Sequence, residues 1–171
     1  MNHKQDYRII GQLFDTYWLI EFEDSFYMMD QHAAHEKILY ERLMKQFHEK
    51  TYHSQMIMPP VILTLSLREE QILKENWKTF TALGYEIEEF GGKEYKVTGL
   101  PAELPTVIDC KQLLIELIDT IADESATHDP ERITEKVASM SCKAAVKGNN
   151  RLSFKEAEEL MRELMEAENP Y

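Results

Sequence analysis

The densest collection of side chains able to do chemistry in this sequence is Asp30-Gln31-His32-Ala33-Ala34-His35-Glu36. Carboxylates and imidazoles can hold Zn²⁺ or Mn²⁺, and an open coordination position then takes water or a phosphate oxygen. On a helix His32 and Glu36 stand one turn apart on the same face, with Asp30 at the N-terminal end. The two alanines leave room for a metal or substrate to approach the backbone. The same residues also make an ordinary helix start, with Asp30 as cap and Glu36 favoured by the helix dipole. The order His-Ala-Ala-His-Glu is neither the HExxH zinc-protease pattern nor its inverted form.

Two further groups carry possible chemistry. Cys110 and Cys142 lie far apart and outside any CxxC pair, so a secreted disulfide scaffold is not indicated. Each reads as a buried thiol or a lone metal ligand, and Cys110 sits among apolar helical residues, which favours burial. Lys143, Lys147 and Arg151 form a compact basic cluster, suited either to phosphate contact or to pairing with glutamates across a solvated face. Glu94-Tyr95-Lys96 imitates half of a restriction-type nuclease motif, but no suitably placed Pro-Asp precedes it.

The balance of the whole chain constrains what these groups do. The formal net charge is -12 over 171 residues. Such a chain repels phosphate at long range, so any contact with DNA needs a local basic patch, a metal or a recruiting partner. A hydrophobic fraction of 43% is ordinary for a protein that buries a core. No apolar run approaches the roughly 20 residues that span a bilayer. Met1-Asn2-His3-Lys4-Gln5 has no apolar segment behind it, so no signal peptide is expected. A cytoplasmic, nucleoid-associated protein with no membrane partner is the expectation.

The elements that must position these residues can be read from pattern. Tyr7 to Phe14, Tyr17 to Phe22 and Phe26 to Met29 are aromatic and β-branched runs between short polar turns, which predicts an antiparallel meander. Asp30 then caps a helix from about Gln31 to Glu49, with Leu39, Leu43 and Phe47 on its apolar face. Thr51 to Pro60 reads as a connector and Val61 to Leu65 as a strand. Ser66 with Glu69 opens a helix bearing Ile72, Leu73, Trp77 and Phe80, which Gly84 stops. Gly91-Gly92-Lys93 is a hairpin signal. A helix follows with Leu113, Leu114, Leu117, Ile118 and Ile121 on one side. Asp129-Pro130 starts another, with Ile133, Val137, Met140 and Ala144 as its stripe, broken by Gly148-Asn149-Asn150. Ser153 with Glu156 caps a final helix. The fold class is α+β, with a middle unit inserted between two flanking parts.

At this point a resemblance becomes specific. Asp30, Gln31, His32, Ala33, Glu36 and Glu41 fall at the positions of the DQHA(x)2E(x)4E signature, and the segment resembles that of the MutL endonuclease family. Ser141-Cys142-Lys143 resembles the family's Ala-Cys-Arg/Lys segment, with serine in place of alanine. Gln55-Met56-Ile57-Met58-Pro59-Pro60 resembles its clamp-binding motif, matching at Gln55, Ile57 and Pro60. A glutamine amide with small apolar anchors suits docking into a preformed pocket. The family also carries a Cys-Pro-His-Gly-Arg-Pro motif near its C-terminus. No such run occurs in these residues, so the metal site is expected to be incomplete as it stands.

The resemblance implies a dimerisation subdomain built from an antiparallel sheet and helices (1–60 and 128–171), with a smaller α/β regulatory subdomain inserted (61–127). It implies a latent endonuclease that nicks duplex DNA in mismatch repair, with Asp30, His32 and Glu36 catalytic. Those three and Cys142 would hold Zn²⁺ and/or Mn²⁺. The implied partners are a second copy, the sliding clamp through Gln55, Ile57 and Pro60, duplex DNA, and a mismatch-recognition protein reached through the rest of the full-length chain. The competing expectation is a non-catalytic dimerisation and clamp-binding module with a structural or regulatory zinc. A metal hydrolase of small molecules lacks any pocket signature.

Overall fold

The computed structural model describes residues 7–105, 108–124, 129–147 and 151–168. The expected helix break at Gly148-Asn149-Asn150 and the expected boundary near Thr127 lie outside them. The elements are β1 (Tyr7–Leu13), β2 (Tyr17–Phe22), β3 (Ser25–Asp30), α1 (Gln31–Glu49), β4 (Ser54–Thr64), α2 (Leu67–Glu75), α3 (Trp77–Leu83), β5 (Glu86–Gly91), β6 (Glu94–Pro101), α4 (Cys110–Glu124), α5 (Pro130–Val146) and α6 (Phe154–Glu166). Antiparallel sheets and helices make the fold α+β, as the pattern predicts. Contacts divide the chain into two units, Met1–Ile38 with Val146–Tyr171, and Leu39–Ala145.

In the first unit the sheet order is β1-β2-β3, and both pairings are antiparallel. The β1–β2 turn places Phe14 and Asp15 at φ 53° and 54°, and Thr16 N donates to Leu13 O at 3.2 Å. Leu13 pairs with Tyr17 across a three-residue turn, and its two consecutive left-handed residues suit the twist of a tight hairpin. Trp18, Ile20 and Met29 on one sheet face bury themselves with Ala34 and Ile38 of α1 and Ala157, Leu160 and Leu164 of α6. The capping box of α6 is complete: Ser153 Oγ accepts from Glu156 N at 3.3 Å, and Ser153 N donates to Glu156 Oε2 at 2.7 Å. Ser153→Ala is expected to lower stability by about 1 kcal/mol, read as a lower urea midpoint with an unchanged slope.

The second unit carries the sheet β4-β6-β5, again antiparallel. Here the structure corrects the expected connector. Ser54–Thr64 is one strand, but its register jumps from Met56↔Gly99 to Val61↔Val97, so residues 57–60 make an excursion opposite Thr98. β4 is an edge strand, which is where prolines are tolerated because a missing N–H costs no ladder bond on the open side. The expected boundary after Pro60 thus falls inside β4. Leu43 and Met44 of α1 and Ile133, Val137 and Ala138 of α5 pack into the second core with Leu63, Leu73, Val97 and Leu117. That packing assigns 39–60 and the residues of α5 up to Ala145 to the second unit.

The single helix expected from Ser66 is two. Asn76 Nδ2 donates to Ile72 O at 2.9 Å, and Asn76 N reaches the same carbonyl at 3.1 Å. A short amide side chain competing for backbone partners ends α2, and α3 restarts at Trp77. Gly84 ends α3 at φ 105°, and a Cβ there would meet His53 O at 2.8 Å. Gly84→Ala therefore combines a left-handed backbone with a clash against main chain. A loss of about 1–3 kcal/mol is expected in calorimetry.

Candidate active site at a strand-to-helix corner

β3 ends on Asp30 and α1 starts at Gln31, so the candidate residues sit on one corner. Asp30 Oδ1 accepts from His32 N at 3.0 Å and from Ala33 N at 3.3 Å. The carboxylate thus satisfies two of the helix's orphan donors and leaves its other oxygen for a ligand. Gln31 is 1% exposed. Its Oε1 accepts from Trp18 Nε1 at 3.0 Å, and its N–H donates to Thr16 O at 3.0 Å. Sequence reasoning missed that role, although a buried tryptophan requires an indole acceptor.

His32 and Glu36 are half-buried along α1. At about 100° per residue they point to the side of the helix away from Ala33, Ala34 and Lys37. That second face, with Asp30, lines a cavity of about 480 Å³ shared with Ile20 and Met161. His35 lies near Glu163 of α6. Burial holds its imidazole below the ordinary histidine range, the Glu163 carboxylate pulls it back up, and neighbouring His32 lowers it further.

Cys142 belongs to the second unit and is 1% exposed, next to Ser141 on α5. Ser141 Oγ donates to Val137 O at 2.7 Å, so at the 2.6 Å contact with Tyr85 it is the tyrosine hydroxyl that donates. Desolvation raises the Tyr85 hydroxyl's pKa, and it pushes the Cys110 thiol up to about 12. Cys110 is accordingly a buried thiol, as the sequence suggests. Among the described residues, no group of three or more His, Cys, Asp or Glu side chains is arranged to hold a metal ion. The donors have suitable chemistry for Zn²⁺ or Mn²⁺ but do not form a closed set.

The basic candidates are spread along the α5 end and beyond. Lys143 and Lys147 are exposed. Arg151 contacts Asp15 of the β1–β2 turn at 3.0 Å. Both side chains are largely solvated, so the pair contributes about 1 kcal/mol at most. In the second unit, the Gln55 amide donates to Pro101 O at 2.9 Å and also to Leu104 O. Ile57 packs against the second core, and Pro60 is half-buried. Among the described residues, no helix is long and apolar enough to cross a membrane.

Fold and corner together define an α+β domain that presents a carboxylate–imidazole cluster at the start of its longest helix. The family described as the MutL C terminal dimerisation domain matches residues 10–152, and the chain belongs to that family. It is 51% identical over 168 residues to a DNA mismatch repair protein MutL of Agathobacter rectalis, covering 98% of this chain and 26% of that protein. It is 37% identical over 166 residues to the protein of the same description from Caldanaerobacter subterraneus subsp. tengcongensis, covering 97% and 28%. The chain thus spans about a quarter of the length of the curated relatives it matches.

Proposed function

We propose that this domain joins two copies of a bacterial mismatch-repair protein and that its β3–α1 corner is the seat of metal-dependent nicking of duplex DNA. Pairing is supported by the first sheet. Ile10, Leu13, Phe26 and Met28 there are 50%, 41%, 62% and 59% exposed, although three strands this short gain little from leaving such residues in water. Phe26→Glu with Met28→Glu is expected to shift the sedimentation coefficient from dimer to monomer without loss of helical circular dichroism. A double variant that stays dimeric removes this face from the pairing.

The observation that carries the nicking reading is the corner itself, where the Asp30 carboxylate is held by two backbone N–H groups at the rim of an open cavity. Those bonds fix the carboxylate in advance, which is the orientation a metal ligand requires before a bound cation can meet a phosphate. His32 and Glu36 supply a further imidazole and carboxylate on the same helix, and Cys142 a thiol. Lys143, Lys147 and Arg151 are the cations offered to the duplex, and the sliding clamp and a mismatch-recognition protein bring an acidic domain to DNA it would otherwise repel. The second reading is a non-catalytic pairing module with a structural or regulatory zinc, which keeps the same fold and differs in chemistry. Chelation and reloading, followed by metal analysis of wild type and His32→Ala, separates them. Metal lost in the variant together with nicking supports the first; metal retained in the variant supports the second.

A further inference from the structure

We infer that Tyr85 is a positioning residue for Cys142: its hydrogen bond to Ser141 holds the turn of α5 that carries the thiol. The inference deepens the reading above, in which Cys142 is a metal ligand, and rests on it for the purpose of that thiol. Ser141 and Cys142 are neighbours on α5 and are 0% and 1% exposed. The Ser141 hydroxyl is held from two sides. It donates to Val137 O at 2.7 Å and accepts from the Tyr85 hydroxyl at 2.6 Å. The Val137 bond stays within α5, so the Tyr85 bond is the one that reaches outside the helix. Tyr85 is itself a fixed point. It follows Gly84, whose left-handed turn ends α3, and its N–H donates to Phe80 O at 3.0 Å. Its ring meets that of Phe80 edge-on at 5.7 Å. Backbone and ring place the hydroxyl, and the hydroxyl places Ser141.

The tie sits where α5 needs one. Cys142 lies one turn before Val146, the last residue of the helix, and helix ends fray. Opening that turn while Tyr85 stays in the core leaves a buried hydroxyl unpaired, which opposes the opening. The same bond accounts for serine in place of the family's alanine, since alanine would take this acceptor away from Tyr85. Burial raises the Tyr85 hydroxyl's pKa, the Ser141 bond lowers it, and Cys110 and Cys142 both lie near enough to raise it further. Cys110, at the start of α4, is therefore a second buried thiol beside the same hydroxyl but on another helix.

The test reads maleimide labelling of both thiols in the native full-length protein, located by mass spectrometry. Tyr85→Phe keeps the ring and is expected to speed labelling of Cys142 at least about tenfold, with Cys110 within about twofold of wild type. Ser141→Ala is expected to lower the thermal midpoint by orphaning the tyrosine hydroxyl. Adding Tyr85→Phe removes both partners, so the midpoint should recover while Cys142 still labels fast. Wild-type labelling in that double variant means the pair only stabilises the core, and overturns the inference. Equal acceleration at both thiols overturns it as well. Titration with Co²⁺, read by the thiolate-to-cobalt absorption band, is expected to need at least about tenfold more metal in Tyr85→Phe and in the double variant. An unchanged Co²⁺ requirement overturns the positioning role. A wild-type band that survives Cys142→Ala overturns the ligand reading alone, and the labelling still decides the tie.

Discussion

Asp30→Asn is expected to cut manganese-dependent plasmid nicking by the full-length protein about 100-fold while leaving its thermal midpoint nearly unchanged. The two effects separate because, under the proposed nicking function, Asp30 has two tasks. As a cap it needs one side-chain oxygen to accept from His32 N and Ala33 N, and asparagine caps as well as aspartate. As a ligand it needs a negative charge, which asparagine lacks. Asp30→Ala removes both, so it should lose the activity and about 1 kcal/mol of stability. Nicking by Asp30→Asn at the wild-type rate removes Asp30 from the chemistry. Equal destabilisation by both variants means the cap is not what holds the corner.

The largest effect on stability is expected at Leu117→Ala, which should cost about 2–5 kcal/mol. Leu117 is fully buried on α4 between Leu113, Leu114, Ile118 and Ile121 in the second core. Truncation there loses the transfer energy of three carbons and leaves a void that close-packed neighbours fill only in part. Against a total of about 5–15 kcal/mol, one such change consumes a large share of the domain's stability. Urea unfolding followed by tryptophan fluorescence measures it, since Trp77 packs against this core. A cost below about 1 kcal/mol would mean that the core collapses around the gap.

What could be read from sequence was local. The meander, the start of α1 at an aspartate cap, the Ser153–Glu156 box, the stop at Gly84 and the Gly92-Lys93 turn depend on neighbours a few residues away. What was misread depends on distant partners. Ser54 to Met56 look like connector until β6 supplies their ladder from residues 99–101. Gln31 reads as a signature residue, and its role as acceptor for the Trp18 indole shows only when the fold brings the two together. The faces of α1 and α5 announce that they bury something, not which core they bury it against.

At the candidate site the residue types were legible and the spatial grouping was not. His32 and Glu36 share a side of α1 by periodicity alone, as expected. The cap rule likewise places Asp30, whose side chain turns back onto the first helical turn. The sequence contains no comparable rule for Cys142, which lies 106 positions after Glu36.

The two sheets also differ in how they resist sticking to strangers. The second is guarded at both margins: Pro59 and Pro60 interrupt β4, and Glu86, Glu88 and Glu89 line β5 with negative charge. The first ends on β3, where Ser25-Phe26-Tyr27-Met28-Met29 has neither proline nor charge before Asp30. An unguarded margin of this kind recruits any loose strand that meets it. Protein released from its partner without a new charge at that margin should therefore precipitate through the first sheet, and the glutamates of the Phe26 and Met28 double variant should keep it in solution.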